Sequence, residues 1–140
     1  MRILYLVHRL PYPPDKGDKV RSYHLLRHLA ARHEVLLGTF VDDPADEPHV
    51  ETVRRWCAEV MALRLQPRRA RIASLSGLAR GEPLTLAYYR DAALDAWVRR
   101  LRAGGRIDAV VVFSSSMAPY AEVFLGSGVA VLVDFVDVDR

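Results

Sequence analysis

Five short runs dominated by Val, Leu, Ile and Phe punctuate the chain: Arg2–His8, Glu34–Phe40, Val60–Leu65, Ala109–Phe113 and Val129–Phe135. They are mostly continuous rather than alternating in polarity, which is the pattern of strands buried on both faces of a parallel sheet. Between the first two, Val20, Tyr23, Leu26, Leu29 and Ala30 recur at helical spacing and leave Arg21, Arg27 and Arg32 elsewhere, so this segment predicts an amphipathic helix. A second helix is expected over Pro48–Ala58, with Val50, Val53 and Cys57 on one face and Asp46 or Glu47 near its start. Arg68–Gly81 places Ile72, Leu75, Leu78 and Ala79 on one side and predicts a short helix. Pro83 then opens a longer one, with Leu86, Tyr89, Leu94, Trp97, Val98 and Leu101 inward and Gly104-Gly105 as its stop. Met117–Leu125 is the last helical segment.

The resulting order, β-α-β-α-β-α-α-β-α-β, predicts an α/β fold: a doubly wound, mainly parallel Rossmann-like sheet with helices on both faces. Neither a repeat nor an internal boundary divides the 140 residues, so one domain is expected. The sequence ends at Asp137-Val-Asp-Arg140, directly after a strand and without a closing helix, and is read as the N-terminal piece of a longer protein.

Composition changes this picture little. A chain that is 51% hydrophobic and 26% charged, with net charge +3, has the balance of a globular domain and lacks the concentrated positive charge of a nucleic-acid binder. The single cysteine, Cys57, cannot form an intramolecular disulfide and calls for no oxidising compartment. The apolar run Ile3 to Val7 is too short for a secretory signal core, and no run approaches the roughly 20 residues of a membrane span. The expected location is the cytoplasm. Peripheral contact with the inner face of the cytoplasmic membrane stays open, because Arg68, Arg69 and Arg71 beside Ile72, Leu75 and Leu78 would suit an anionic lipid surface as well as a helix packed on the sheet.

In open α/β sheets ligands gather beyond the carboxyl ends of the strands. Four segments fall there: His8–Lys19, Thr39–Pro44, Ser114–Pro119 and Asp134–Asp139. In the first, Pro11, Pro13 and Pro14 stiffen the strand exit, Gly17 permits close backbone approach or positive φ, and Asp18 is placed to cap the next helix. Neither a G-x-G-x-x-G fingerprint nor a P-loop is present, which disfavours a dinucleotide-dependent dehydrogenase. His8 at a strand end suits ligand contact or packing, Ser114-Ser-Ser116 a ligand or a helix-capping turn, and Asp42-Asp43-Pro44 a solvated turn. His24, His28 and His33 lack convergent partners, so no metal site is expected, and Cys57, Trp56 and Trp97 are read as packing residues.

The stretch Ile3-Leu-Tyr-Leu-Val-His-Arg-Leu-Pro-Tyr-Pro-Pro-Asp-Lys-Gly-Asp-Lys-Val-Arg-Ser-Tyr-His-Leu-Leu26, then His33-Glu-Val35, Gly38-Thr-Phe-Val-Asp-Asp-Pro44 and the ending Asp134-Phe-Val-Asp-Val-Asp139, resembles the N-terminal domain of a family 4 GT-B glycosyltransferase. More narrowly, it is similar to the bacterial sugar transferases of PEP-CTERM exopolysaccharide systems. The resemblance implies an acceptor-side domain of an enzyme that moves a sugar from a nucleotide-sugar donor to an exopolysaccharide or lipid-linked acceptor. It implies no cofactor in this half, a C-terminal domain that binds the donor, and no activity in the isolated half.

Residue by residue, the family's glycine-rich loop matches Lys16, Gly17 and Asp18, where this chain has Gly-Asp in place of a frequent glycine pair. The family's histidine after the fifth strand has no counterpart, and Asp134 or Asp137 occupies that region as the candidate catalytic carboxylate. His8, Lys16, Gly17, Asp18, Ser114 and Ser115 are the candidate substrate-binding residues, and Arg68, Arg69 and Arg71 the membrane-facing candidates. Two further classes stay open: a non-catalytic Rossmann-like module that binds a nucleotide or sugar, and an interaction domain held to membranes by its basic segment. A parent reading frame with a second α/β domain would favour the transferase.

Overall fold

The computed structural model describes residues 1–15, 17–65 and 89–134. Within them the chain forms β1 (Arg2–Val7), α1 (Gly17–Arg32), β2 (Glu34–Val41), α2 (His49–Arg54), β3 (Glu59–Arg64), α3 (Ala92–Gly104), β4 (Ala109–Phe113), α4 (Ala118–Ala121) and β5 (Ala130–Asp134). The five strands make one sheet in the order β3-β2-β1-β4-β5, every pair parallel. This is the doubly wound α/β arrangement expected from the alternation of apolar runs and helical periodicity. The chain steps outward from β1 to β3 and then crosses back to β4, so the direction of winding reverses between β1 and β4.

Alternation along each strand divides the core into two layers. Leu4, Leu6, Leu36, Phe40, Val110 and Val112 face Leu94, Trp97 and Val98 of α3 and Tyr120 and Phe124 around α4. Tyr5, Val7, Val35, Leu37, Val41 and Phe113 face Leu26 of α1 and Val53 of α2. Gly38 of β2 lets α3 approach closely: a Cβ there would lie 2.9 Å from Leu6 Cδ2 and 3.0 Å from the Trp97 ring.

The sheet centre is apolar on both sides, but the outer strands are not. β3 and β5 are only partly covered, and Leu132 of β5 is 63% exposed, so burial on both faces holds for β1, β2 and β4 and not for the edges. The helices also differ from their predicted extents. α2 stops at Arg54, leaving Cys57 beyond it, half-buried against the second core layer. The long helix expected from Pro83 begins, in its described part, at Ala92: Asp91 is extended and its carboxylate accepts from Ala93 N and Leu94 N. Such a local side-chain cap competes with continued helix at that residue. The predicted stop is where the sequence puts it, with Gly105 left-handed at φ 67°. Met117–Leu125 is a composite of the single-turn α4 flanked by 3-10 turns at Ser115–Met117 and Glu122–Phe124. The segment Arg68–Gly81 lies outside the described residues.

Along α1 the buried stripe is Lys19, Ser22 and Leu26, with Leu29 and Ala30 partly buried, while Val20 is exposed. Stepping back from Leu26 by four and then three residues lands on Ser22 and Lys19, so the inward face turns polar toward the helix N-terminus. That end of α1 stands at the carboxyl edge of the sheet.

Candidate functional site

β1 ends at Val7, which pairs with Thr39 of β2 and Phe113 of β4, so His8 emerges where the winding reverses. Its ring stacks on Phe113 at 6.4 Å and meets Tyr89 edge-on at 5.8 Å. His8 Nε2 lies 3.2 Å from Asp18 Oδ2, and Arg9 Nη1 lies 3.3 Å from Asp18 Oδ1. Arg9 Nε also donates to Asp42 Oδ2 at 3.0 Å. Burial opposes the charge on Arg9, yet Asp42 and Asp18 together hold its pKa above the ordinary value. Asp18 therefore does not cap α1: its carboxylate reaches back to the end of β1. Asp42 is part of this ionic network rather than a solvated residue, while Asp43 caps the following 3-10 turn through Ala45 N.

Beneath this network lies Lys19, 1% exposed, whose Nζ donates to Asp46 Oδ2 at 2.9 Å and sits 3.6 Å from Asp15 Oδ1. A buried ammonium is costly unless paired and hydrogen-bonded, and Asp46, itself buried, supplies that partner. Arg9–Asp42 and Lys19–Asp46 thus tie the β1–α1 connection to the β2–α2 connection at two points. On sequence alone Asp46 stands only near a helix start and Arg9 and Lys19 only within the His8–Lys19 segment, with no role assigned to their pairing. The usable signal was the i−3/i−4 continuation of the Leu26 stripe, which places a lysine where only an internal carboxylate can receive it.

On the other side of the reversal, Ser114 leaves β4 at φ 91° and ψ 129°, buried, with its N–H on Asp134 O at 2.9 Å. A non-glycine residue there is strained. The Ser114 hydroxyl accepts from Ser116 N and lies 2.7 Å from Ser116 Oγ, so the serine run forms a capping turn. Asp134 ends β5, and its Oδ2 lies 3.0 Å from Arg21 Nη2. The Arg21 guanidinium also lies 5.8 Å above the Phe113 ring, spanning from α1 across the end of β4 to β5. Tyr5, under α1, donates to Ser22 O; burial first, and then the nearby Asp134 charge, raise its pKa against the opposing effect of Arg21.

Gly17 is the first residue of α1, and its φ is not positive. Among the described residues beyond its own helix turn, none places an atom within 4 Å of where a Cβ would stand. Left-handed backbone is therefore not the reason for a glycine here, and the open space beyond it remains the available one. Gly17, Asp18, His8, Ser114, Ser115 and Asp134 all lie at the carboxyl edge, on both sides of the reversal. Lys16, Asp137, Arg68, Arg69 and Arg71 lie outside the described residues. Of the remaining candidates, Trp97 is core and donates to Glu59 Oε1, Trp56 packs against Tyr12 and Tyr23, and burial pushes the Cys57 thiol up to about 12. His24 and His28 are exposed.

The fold defines a Rossmann-like α/β domain with its polar cluster at the topological reversal. Scanned against protein-family models and compared with curated proteins, the chain matches none. Among solved structures it is similar to the N-terminal domain of the Candida albicans trehalose-6-phosphate phosphatase, with a TM-score of 0.51 and 15% sequence identity. The likeness covers 96% of this chain and 32% of that one, and at that identity it concerns the fold alone. Among the described residues no helix is long and apolar enough to cross a membrane.

Proposed function

We propose that this chain is the acceptor-side, N-terminal domain of a GT-B glycosyltransferase that transfers a sugar from a nucleotide-sugar donor to an exopolysaccharide or lipid-linked acceptor. The observation that carries the reading is the gathering of Gly17, Asp18, His8, Ser114 and Asp134 around the reversal of strand order, together with the family resemblance of the residues after β1. Ligands of open α/β sheets occupy that position. In this reading the edge orients an acceptor hydroxyl toward a donor held by a second domain, and orientation supplies much of the rate advantage. Peripheral membrane contact through Arg68, Arg69 and Arg71 belongs to the same proposal.

Two carboxylates on the edge are already held by guanidinium groups, Asp18 by Arg9 and Asp134 by Arg21. Each would have to give up that partner before the same oxygen could accept from a substrate hydroxyl. This observation favours, as a second reading, a module that binds a nucleotide or sugar without chemistry.

The deciding experiment is nucleotide-sugar turnover by the polypeptide extended with its second domain, beside the 140-residue chain alone. The longer protein is expected to turn over and the shorter one not. Turnover by the purified short chain would overturn the division of labour, and a parent gene without a second α/β domain would leave the binding module.

A further inference from the structure

Beside the reversal, α3 and the β4–α4 corner enclose a groove of about 640 Å³ lined by Asp91, Asp95, Arg99, Pro119, Tyr120 and Glu122, with Arg90, Ala92 and Ser116 completing it. That size lies within the range of small-molecule sites, about 300–1,000 Å³. The groove adjoins the carboxyl edge. Ser116 at its wall is hydrogen-bonded to Ser114, and the Tyr120 hydroxyl at its floor donates to Tyr89 O and accepts from Asp91 N. Tyr89 in turn packs edge-on against His8.

We infer that this groove is a subsite for a neutral sugar residue, next to the edge but separate from it. The argument rests on the kind of polar group that lines it. A phosphate or nucleotide would meet three carboxylates, Asp91, Asp95 and Glu122, against two guanidinium groups, Arg90 and Arg99, of which Arg99 is already held by Asp95, and the N-terminus of α3, which otherwise attracts anions, is occupied by the Asp91 carboxylate. A purely apolar ligand would bury these charges without partners. A polyol suits the set, since its hydroxyls donate to Asp95 and Glu122 and accept from Arg99, while Pro119, Ala92 and Tyr120 offer apolar surface to ring C–H groups. Asp95 and Arg99 are already oriented by their mutual bond of 2.9 Å on one helix face, and Glu122 stands exposed opposite them.

The inference rests on the proposed function and deepens it: the acceptor is recognised as a chain of at least two sugars, with one unit at the reversal and another in the groove.

The test is an amide-resolved NMR titration of the isotopically labelled 140-residue chain with maltotriose, cellotriose and mannotriose, and separately with inorganic phosphate and UDP. At least one trisaccharide should move the amides of residues 91–95, 116 and 120–122, and neither anion should move them. Combined D95N and E122Q should weaken that binding about tenfold or more, the loss expected for charge-assisted hydrogen bonds. Both side chains lie partly or fully in solvent, and unchanged amides in the remote strands will verify the fold. No response to any of the three sugars, an equal response in the double variant, or a response to phosphate or UDP would overturn the inference. Failure is separable from that of the proposed function. Turnover by the longer protein with unaltered acceptor KM in the double variant removes the groove alone, whereas sugar binding here without any turnover removes the transferase alone.

Discussion

The two halves of the carboxyl edge are built by opposite means. Beside β1 and β2 the loops are bound by charge: Lys19 and Asp46 meet below the surface, and Arg9 joins Asp42 and Asp18 above them. Beside β4 and β5 a strained serine turns the chain, and the bridge between an acid and a base found there among the described residues, Arg21–Asp134, is largely in solvent, with Arg21 62% exposed. The same kinds of residue therefore do different things. Where water is excluded, an ion pair fixes the relative position of two loops, because losing either partner strands a charge. Where water has access, the pair is weak and its members can exchange it for a ligand.

The largest test of this contrast is Asp46→Ala, which leaves the Lys19 ammonium buried without its near partner. A loss of about 3–5 kcal/mol is expected, seen in urea unfolding and as a fall in Tm on the order of 10 °C or more. Lys19→Met combined with Asp46→Leu should recover much of it, since an apolar pair replaces both charges. If Asp46→Ala costs no more than removing Arg21, the two halves are energetically alike and the contrast fails.

Ser114 probes the other half. Ser114→Gly relieves the left-handed backbone but loses the hydroxyl, whereas Ser114→Ala loses the hydroxyl and keeps the strain. Glycine should be the more stable of the two by about 1 kcal/mol or more. Equal Tm values would mean that the turn stores no strain.

Tyr5 lies beneath α1 between the halves, and its pH dependence has a definite sign. The folded pKa is raised above 10.0, so its contribution is intact below pH 10 and declines as the pH rises further, because the unfolded phenol ionises first. Absorbance at 295 nm should show Tyr5 and Tyr120, both raised by burial, titrating late, and Tyr5→Phe should remove one of these two late tyrosines.

Arg21→Ala carries the smallest expected change in stability, under about 1 kcal/mol for an exposed pair. The corresponding effects on activity should be out of proportion to it. If the proposed two-domain transferase holds, Asp134→Asn and Gly17→Val should each lower turnover with little change in Tm, since a Cβ at Gly17 meets no other described part of the fold within 4 Å. Wild-type turnover in both variants would take these residues out of the site.

The sequence discloses the strands almost to the residue, because runs such as Leu4-Tyr-Leu-Val7 and Ala109-Val-Val-Val-Phe113 are apolar on both faces and only a central parallel strand satisfies them. Strand order is set by where the connections carry the chain, above all the long one from β3 to β4, rather than by any single residue. Helix ends were less legible. Asp91 interrupts a stretch whose apolar spacing continues through it, and one hydrogen-bonding side chain decided the outcome. That the candidate residues gather at the carboxyl edge was readable from topology, but their wiring to one another was not. The spacing back from Leu26 points Lys19 rather than Val20 inward, but nothing in the order of residues announces that its partner is Asp46, 27 residues away. The emptiness around Gly17 likewise belongs to the folded arrangement alone.

Joining the β1–α1 and β2–α2 connections at two points has a consequence for the speed and heat of recognition. The bridges span 33 and 27 residues of chain, so the entropy of bringing those loops together is lost once, when the domain folds. A ligand arriving at this side finds loops already in position. Its association should be limited by encounter and orientation rather than by rearrangement, with a small ordering entropy in calorimetry.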